Sequence, residues 1–261
     1  MADAPGGDAV TAVRTVVVGA SSGLGRSIAV GLGQRGHRVA LLARRQDRLE
    51  RAAKEAGEGC VPIVCDVTDE ASVESAMASA VEHLGGVDGL VYATGIGELS
   101  TLMEHDKDRW HRAFDTNVIG AWQVTRAAIP HLAASQGAAA YLSSVSASLT
   151  PPWPGLGSYA VSKAALDKLV EAWRAEHPQI GFTRVIVGDC AGGEGESLTE
   201  FADGWDREAS GDFVMEWYTR KYITGTLMDV QELVGTVDFV VRSGSTVCIQ
   251  SVTAAPRPPA P

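Results

Sequence analysis

The chain has 261 residues, enough for one large α/β domain with a substantial core. Its 22 basic against 32 acidic residues give a formal net charge of −10, and no Lys/Arg stripe offers a surface to nucleic acid. No apolar run approaches the ~18–20 residues that a membrane span needs, and residues 1–8 lack a signal-peptide pattern.

Residues 1–12 read as a disordered leader and 253–261 as a disordered tail, which leaves 13–252 as a single domain. The domain opens on Thr15, Val16, Val17 and Val18, four β-branched residues suited to a strand buried on both faces. Glycines then follow as Gly19-x-x-x-Gly23-x-Gly25, after which Ile28, Ala29, Leu32 and Gly33 recur at helical spacing. Strand, glycine turn and helix N-terminus leave unpaired backbone N–H groups at the positive end of a helix dipole. An anion fits there, so Gly19, Ser21, Ser22, Gly23, Leu24 and Gly25 are candidate phosphate-binding residues. A P-loop is a poor match, because Ala20 stands where its first glycine should be and Arg26 where its lysine should be.

Residues 38–43 make a second strand, followed by Arg44 and Arg45 about 20 residues beyond the glycine turn. An acidic residue there would hold the 2′-hydroxyl of NAD, whereas two arginines suit a 2′-phosphate. NADP(H) is therefore favoured over NAD(H). A third strand over 61–65 leads into Asp66 and Val67, placed to meet an adenine ring, although Asp66 equally suits a turn or a helix cap. A helix over 69–84 and a strand over 87–92 come next, and Ala93 and Gly95 then line the crevice beside the cofactor. A long helix over 106–134 carries Asn117 among apolar neighbours, a position that asks for a polar partner. The fifth strand, 138–143, runs into Ser144.

After a Pro/Gly-rich loop at 151–155, a helix beginning near residue 158 holds Tyr159 and Lys163, four apart on one face. An ammonium within about 4–6 Å of a phenol favours the phenolate, which predicts a Tyr159 pKa lowered toward working pH. Such a phenol can exchange a proton with a substrate oxygen, and Ser144 could hold the same oxygen. A strand over 183–187 precedes an irregular stretch, 190–228, where acidic residues interleave with Phe201, Trp205, Phe213, Trp217, Tyr218 and Tyr222. With Trp153, these aromatics predict a roomy apolar pocket under a substrate lid. They suit core or subunit contacts equally well. A helix over 229–242 and a strand over 246–250 end the alternation, which implies a doubly wound parallel sheet of about seven strands with helices on both faces. The four cysteines, Cys60, Cys65, Cys190 and Cys248, have neither Cys-x-x-Cys nor metal-ligand spacing, so no metal site is expected and buried thiols in a reducing cytoplasm are.

Taken together and in order, the glycine turn, Cys65–Asp66–Val67, Thr116–Asn117–Val118, Ser143–Ser144 and Tyr159-x-x-x-Lys163 resemble the short-chain dehydrogenase/reductase family over residues 15–250. The resemblance implies a three-layer Rossmann fold and hydride transfer between a nicotinamide and a carbonyl/alcohol pair. It implies Tyr159 as acid/base, Ser144 as oxygen anchor and Lys163 on the nicotinamide ribose, with Asn117 supporting a water in the proton relay.

The chain departs from the family pattern in four places. Val18 replaces a threonine, and Tyr92–Ala93–Thr94–Gly95 replaces Asn-Asn-Ala-Gly, removing side-chain bonds that brace that turn. The Ser144–Tyr159 separation is two residues long, which the Pro151–Pro152 insertion absorbs, and Ser146 is the second choice of anchor. The Pro-Gly after the sixth strand is missing. The expected partners are a small carbonyl or alcohol, bulky and apolar, and further copies of the chain in a dimer or tetramer, with neither nucleic acid nor membrane. A dimer through the helices around Asn117 and after Tyr159 is the safer proposal. A catalytically silent NADP-binding sensor or scaffold, and a redox-neutral epimerase or dehydratase, are the alternatives.

Overall fold

Val16 and Val18 point to one face of the first strand and Val17 to the other, and both faces are buried. That strand, β1 (Arg14–Val18), is the third of a seven-stranded sheet seen in a computed structural model, which describes residues 12–243 and 246–257. The remaining strands are β2 (Arg38–Ala43), β3 (Val61–Val64), β4 (Gly89–Tyr92), β5 (Ala138–Ser144), β6 (Gly181–Val187) and β7 (Ser251–Ala254). All pairings are parallel and the order is β3-β2-β1-β4-β5-β6-β7. The chain thus turns back between β1 and β4, and a crevice opens at the carboxyl ends of those two strands.

Helices α1 (Gly23–Gln34), α2 (Gln46–Ala56) and α9 (Val230–Val241) cover one face, packing Ile28, Leu32, Leu49 and Val234 on Val17 and Leu41. Helices α3 (Glu70–Leu84), α5 (Gly120–Ser135) and α7 (Gly157–Glu176) cover the other, over Tyr92, Tyr141 and Phe182. Full burial of each large side chain stabilises by about 1.5–3 kcal/mol, so the two layers hold the sheet from both sides. The remaining helices are α4 (Lys107–Phe114), a short turn α6 (Val145–Ser148) and α8 (Arg207–Thr219).

Three expectations change. The long helix is broken: α4 passes into a π-helical turn, Asp115–Ile119, before α5, and this turn carries Asn117. The last strand is displaced from 246–250 to Ser251–Ala254. Arg174 sets that register, donating to the carbonyls of both Phe182 (2.7 Å) and Gln250 (2.8 Å), so β7 starts beside Arg184. The tail expected from 253 therefore begins inside a strand, and order continues to Arg257, whose carbonyl accepts from Thr226 at 3.0 Å. Residues 1–11 and 258–261, the rest of the expected leader and tail, lie outside the described residues. Among the described residues no helix is long and apolar enough to cross a membrane.

Candidate active site

The glycine turn closes on its own neighbours. A Cβ on Gly25 would lie 2.3 Å from the Gly19 carbonyl oxygen, and one on Gly19, at φ +88°, would lie 2.7 Å from the Thr94 nitrogen. Both glycines therefore let β1, the start of α1 and the turn after β4 meet. Ser21 is buried and Ser22 and Leu24 are half-buried there. Ser22 ends the turn in extended geometry without capping α1 with its side chain. The turn after β4 is not left unbraced by the missing asparagines. Asn117 Oδ1 accepts from Ile96 N at 2.8 Å and its Nδ2 donates to Ile96 O at 2.9 Å, while the Tyr92 hydroxyl donates to Thr116 O at 2.5 Å. The π-helical turn makes this possible by widening the helix where Asn117 must face inward.

Asn117, fully buried, also donates to Ser162 Oγ (2.9 Å), which donates to the Tyr159 carbonyl (2.8 Å). This chain fixes α7 against the π-helical turn. Lys163 Nζ donates to Leu142 O at 2.8 Å and lies 5.9 Å from the Tyr159 ring centroid. A Cβ on Gly95 would stand 2.9 Å from that Nζ, so the turn after β4 packs directly on it. At the end of β5, Ser144 lies close enough to the Tyr159 phenol to act on its ionisation, and its hydroxyl is 2.9 Å from that of Ser146. Pro151 and Pro152 are exposed.

The expected lowering of the Tyr159 pKa does not hold. Burial pushes the phenol up to about 12, against the Ser144 bond that pulls it down. Burial also brings Lys163 down to about 8, while Asp167, one helical turn further along, pulls it up. Desolvation thus outweighs the ammonium, whose Nζ spends a hydrogen bond on Leu142 instead of on the phenol.

Arg45, not Arg44, reaches the glycine turn. Its guanidinium donates to Ser21 Oγ (3.0 and 3.2 Å) and to Ser22 Oγ (2.7 Å), while Arg44 is exposed and acts on Asp66 through charge. Asp66 accepts from Thr68 N (3.0 Å) and Thr68 Oγ1 (2.8 Å), bonds that hold its carboxyl low, so it shapes its own turn. Val67 is buried, its carbonyl taken by Gln123 at 2.9 Å, and Ala93 donates its N–H to Val18 O at 3.0 Å. Cys65 is buried, Cys60 and Cys190 are half-buried and Cys248 is exposed, all as free thiols, so the expected buried state holds fully only for Cys65.

The segment after β6 differs most from expectation. In place of a roomy pocket, its aromatics fill their own space. Trp153 and Trp217 lie 5.2 Å apart, Phe201 meets Tyr159 edge to face at 4.8 Å, and Trp205 donates to Gly97 O at 2.9 Å. Gly97 is required under that lid, since a Cβ would stand 2.5 Å from Phe201. Glu200 accepts from Arg45 at 2.7 Å and from Arg48, which together hold its carboxyl near 2 against the opposing effect of burial. Arg48, Glu200 and Ser162 are site residues that sequence reasoning missed, whereas Phe201 is among the expected lid aromatics. Arg48 alone left a local trace, one turn beyond Arg45 on an amphipathic helix.

Residues 14–200 match the family of short chain dehydrogenases. The chain belongs to the short-chain dehydrogenase/reductase family. Short chain dehydrogenase tazN of Aspergillus terreus is 35% identical over 250 residues, covering 84% of this chain, and the chain spans about half the length of that relative. Among solved structures, a 3-ketoacyl-(acyl-carrier-protein) reductase from Brucella melitensis complexed with NADH is 25% identical at a TM-score of 0.77, covering 94% of this chain and 97% of its own. A gluconate 5-dehydrogenase from Burkholderia cenocepacia in complex with NADP and tartrate shares the fold at a TM-score of 0.78 and 24% identity, covering 93% of each chain. The residues here fit such a coenzyme on their own account: Arg45, bonded to Ser21 and Ser22 at the glycine turn, joins Arg48 in holding a carboxylate, which marks the spot as an anion site.

Proposed function

We propose that the chain is an NADP(H)-dependent oxidoreductase acting on the carbonyl/secondary-alcohol pair of a bulky apolar substrate. The observation that carries this reading is the buried corner where Lys163, 5.9 Å from the Tyr159 ring, is fixed to Leu142 O at 2.8 Å and packed under the turn after β4, with Ser144 at the end of β5 acting on the same phenol. When bound, the nicotinamide coenzyme supplies or takes the hydride. Gly19, Ser21, Ser22, Gly23, Leu24 and Gly25 would hold its phosphates, Arg45 with Arg44 its 2′-phosphate, Asp66 and Val67 its adenine, and Ala93 and Gly95 the floor of the crevice. Ser144 donates to the substrate oxygen and Tyr159 protonates it. Lys163, charged below about pH 8, stabilises negative charge on the phenol and holds the ribose, while Asn117 fixes the turn through Ile96 and supports the proton's route.

Apolar substrates are favoured by the wall of Phe201, Trp205, Trp153 and Trp217, which must part to admit them. Exposed Ile119, Trp122 and Val161, on the helices that carry Asn117 and Tyr159, support a homodimer, and exposed Phe239 a tetramer. The test is a panel of aldehydes and ketones of increasing bulk, assayed for NADPH and NADH consumption. Turnover is expected with bulky carbonyls and NADPH. Coenzyme binding without turnover of any carbonyl would instead mark a binding protein or sensor.

A further inference from the structure

The segment from Ala191 to Trp205 lies across the glycine turn as a strap. Where a side chain on Gly23 would project, the Thr199 Cα is 3.3 Å away, so the strap's backbone covers the N-terminus of α1. It is folded on itself by Thr199 N–H to Ala191 O (2.8 Å) and Gly193 N–H to Ser197 O (2.9 Å). Acidic side chains then tie it down. Glu196 pairs with Arg51 at 2.6 Å and lies 3.8 Å from Arg26, whose guanidinium also donates to Ser197 Oγ at 2.7 Å. Glu200 accepts from Arg45, 155 residues away in sequence, and from Arg48, at the point where Arg45 also donates to Ser21 and Ser22 of the glycine turn.

Two donors matter here. Arg45 binds both serines and the carboxylate at once, so the pocket is already organised around an anion that the chain itself provides. A carboxylate carries one negative charge and a phosphomonoester close to two at neutral pH, so the same donors favour the phosphate once it arrives. The carboxylate, however, is tethered and always present.

We propose that Glu200 is an internal competitor for the 2′-phosphate, with Arg48 as the second cation of that pocket. Coenzyme binding then requires the strap to lift, and affinity for 2′-phosphorylated ligands is reduced by the fraction of time Glu200 occupies the site. The same lifting carries Phe201, the next residue, away from its edge-on contact with Tyr159, so the anion pocket and the phenol are uncovered by one movement. This inference rests on the coenzyme reading above.

Calorimetric titration of the full chain with 2′,5′-ADP and with AMP, probes that differ only in the 2′-phosphate, tests it without any turnover. Glu200→Gln and Glu200→Ala should each tighten 2′,5′-ADP about tenfold or more and AMP distinctly less. Unchanged or weakened 2′,5′-ADP binding, or equal gains for both probes, would overturn the competitor role while leaving the NADP reading intact. If wild type and both variants bind neither probe, NADPH nor NADH, the coenzyme reading falls as well.

Discussion

The corner at Tyr159 and the strap that covers it are held by different forces. Asn117, Ser162 and Lys163 are buried and held by hydrogen bonds of 2.8–2.9 Å to backbone or to one another. Salt reaches such contacts poorly, and their geometry is set before any ligand arrives. Glu196 and Glu200, by contrast, remain about a third exposed and meet arginines at the surface. Ion pairs of that kind are weak individually and screened by salt. A preorganised proton-transfer corner under a releasable cover separates the task of chemistry from that of admission.

The largest break in this comparison comes from Tyr159→Phe. Removing the hydroxyl should cut carbonyl reduction by about 10²–10⁴-fold, the usual contribution of a positioned acid, with NADPH affinity nearly unchanged in a direct titration. A loss of affinity with the rate preserved would move Tyr159 from the chemistry to binding. Next is Gly25→Ala, whose new Cβ would stand 2.3 Å from the Gly19 oxygen. Overpacking there should cost about 1–3 kcal/mol. At roughly 2–4 °C per kcal/mol, a melting curve would register this clearly.

Protonation sharpens the contrast further. With Tyr159 pushed up to about 12, the phenol is protonated throughout the neutral range, so it can act as an acid at any working pH. Alcohol oxidation needs the phenolate and should therefore rise with pH over the same range in which reduction is flat or falling. Lys163 at about 8 loses its charge above that pH, which sets the alkaline limb of the reduction profile. Asp167→Asn removes the charge that raises Lys163, so that limb should move to lower pH. A profile displaced to higher pH would contradict this. The smallest effect is expected from Gly211→Ala on the exposed face of α8, where a Cβ meets nothing within 4 Å. It should stabilise that helix by about 1 kcal/mol and leave coenzyme affinity unchanged.

How much of this was legible in the sequence follows from the range of each contact. The glycine turn and the Tyr159/Lys163 pair are local patterns, read from a β-branched run and a four-residue spacing, and both pack against the turn after β4. Asn117 was flagged by its apolar surroundings, but a break in helical periodicity was not, because a π-helical turn shifts the spacing by a single residue. Arg45 is paired with Arg44 by position, while the bend between β2 and α2 turns only Arg45 toward the glycine turn. Glu200 carries no signal, and Phe201 only that of an aromatic in an acidic stretch that reads equally well as lid, core or interface, because their partners Arg48 and Tyr159 lie far away in the chain. The raised Tyr159 pKa was missed for a related reason, since burial, which no spacing reports, outweighs a charge four residues away.

The division between corner and strap is tested most directly by amide hydrogen exchange of the coenzyme-free chain at low and at high salt. Raising salt should speed exchange of the strap amides, Gly193 and Thr199 among them, and leave that of Ile96, bonded to Asn117, unaltered. Equal acceleration at both sites, or a strap indifferent to salt, would contradict the account.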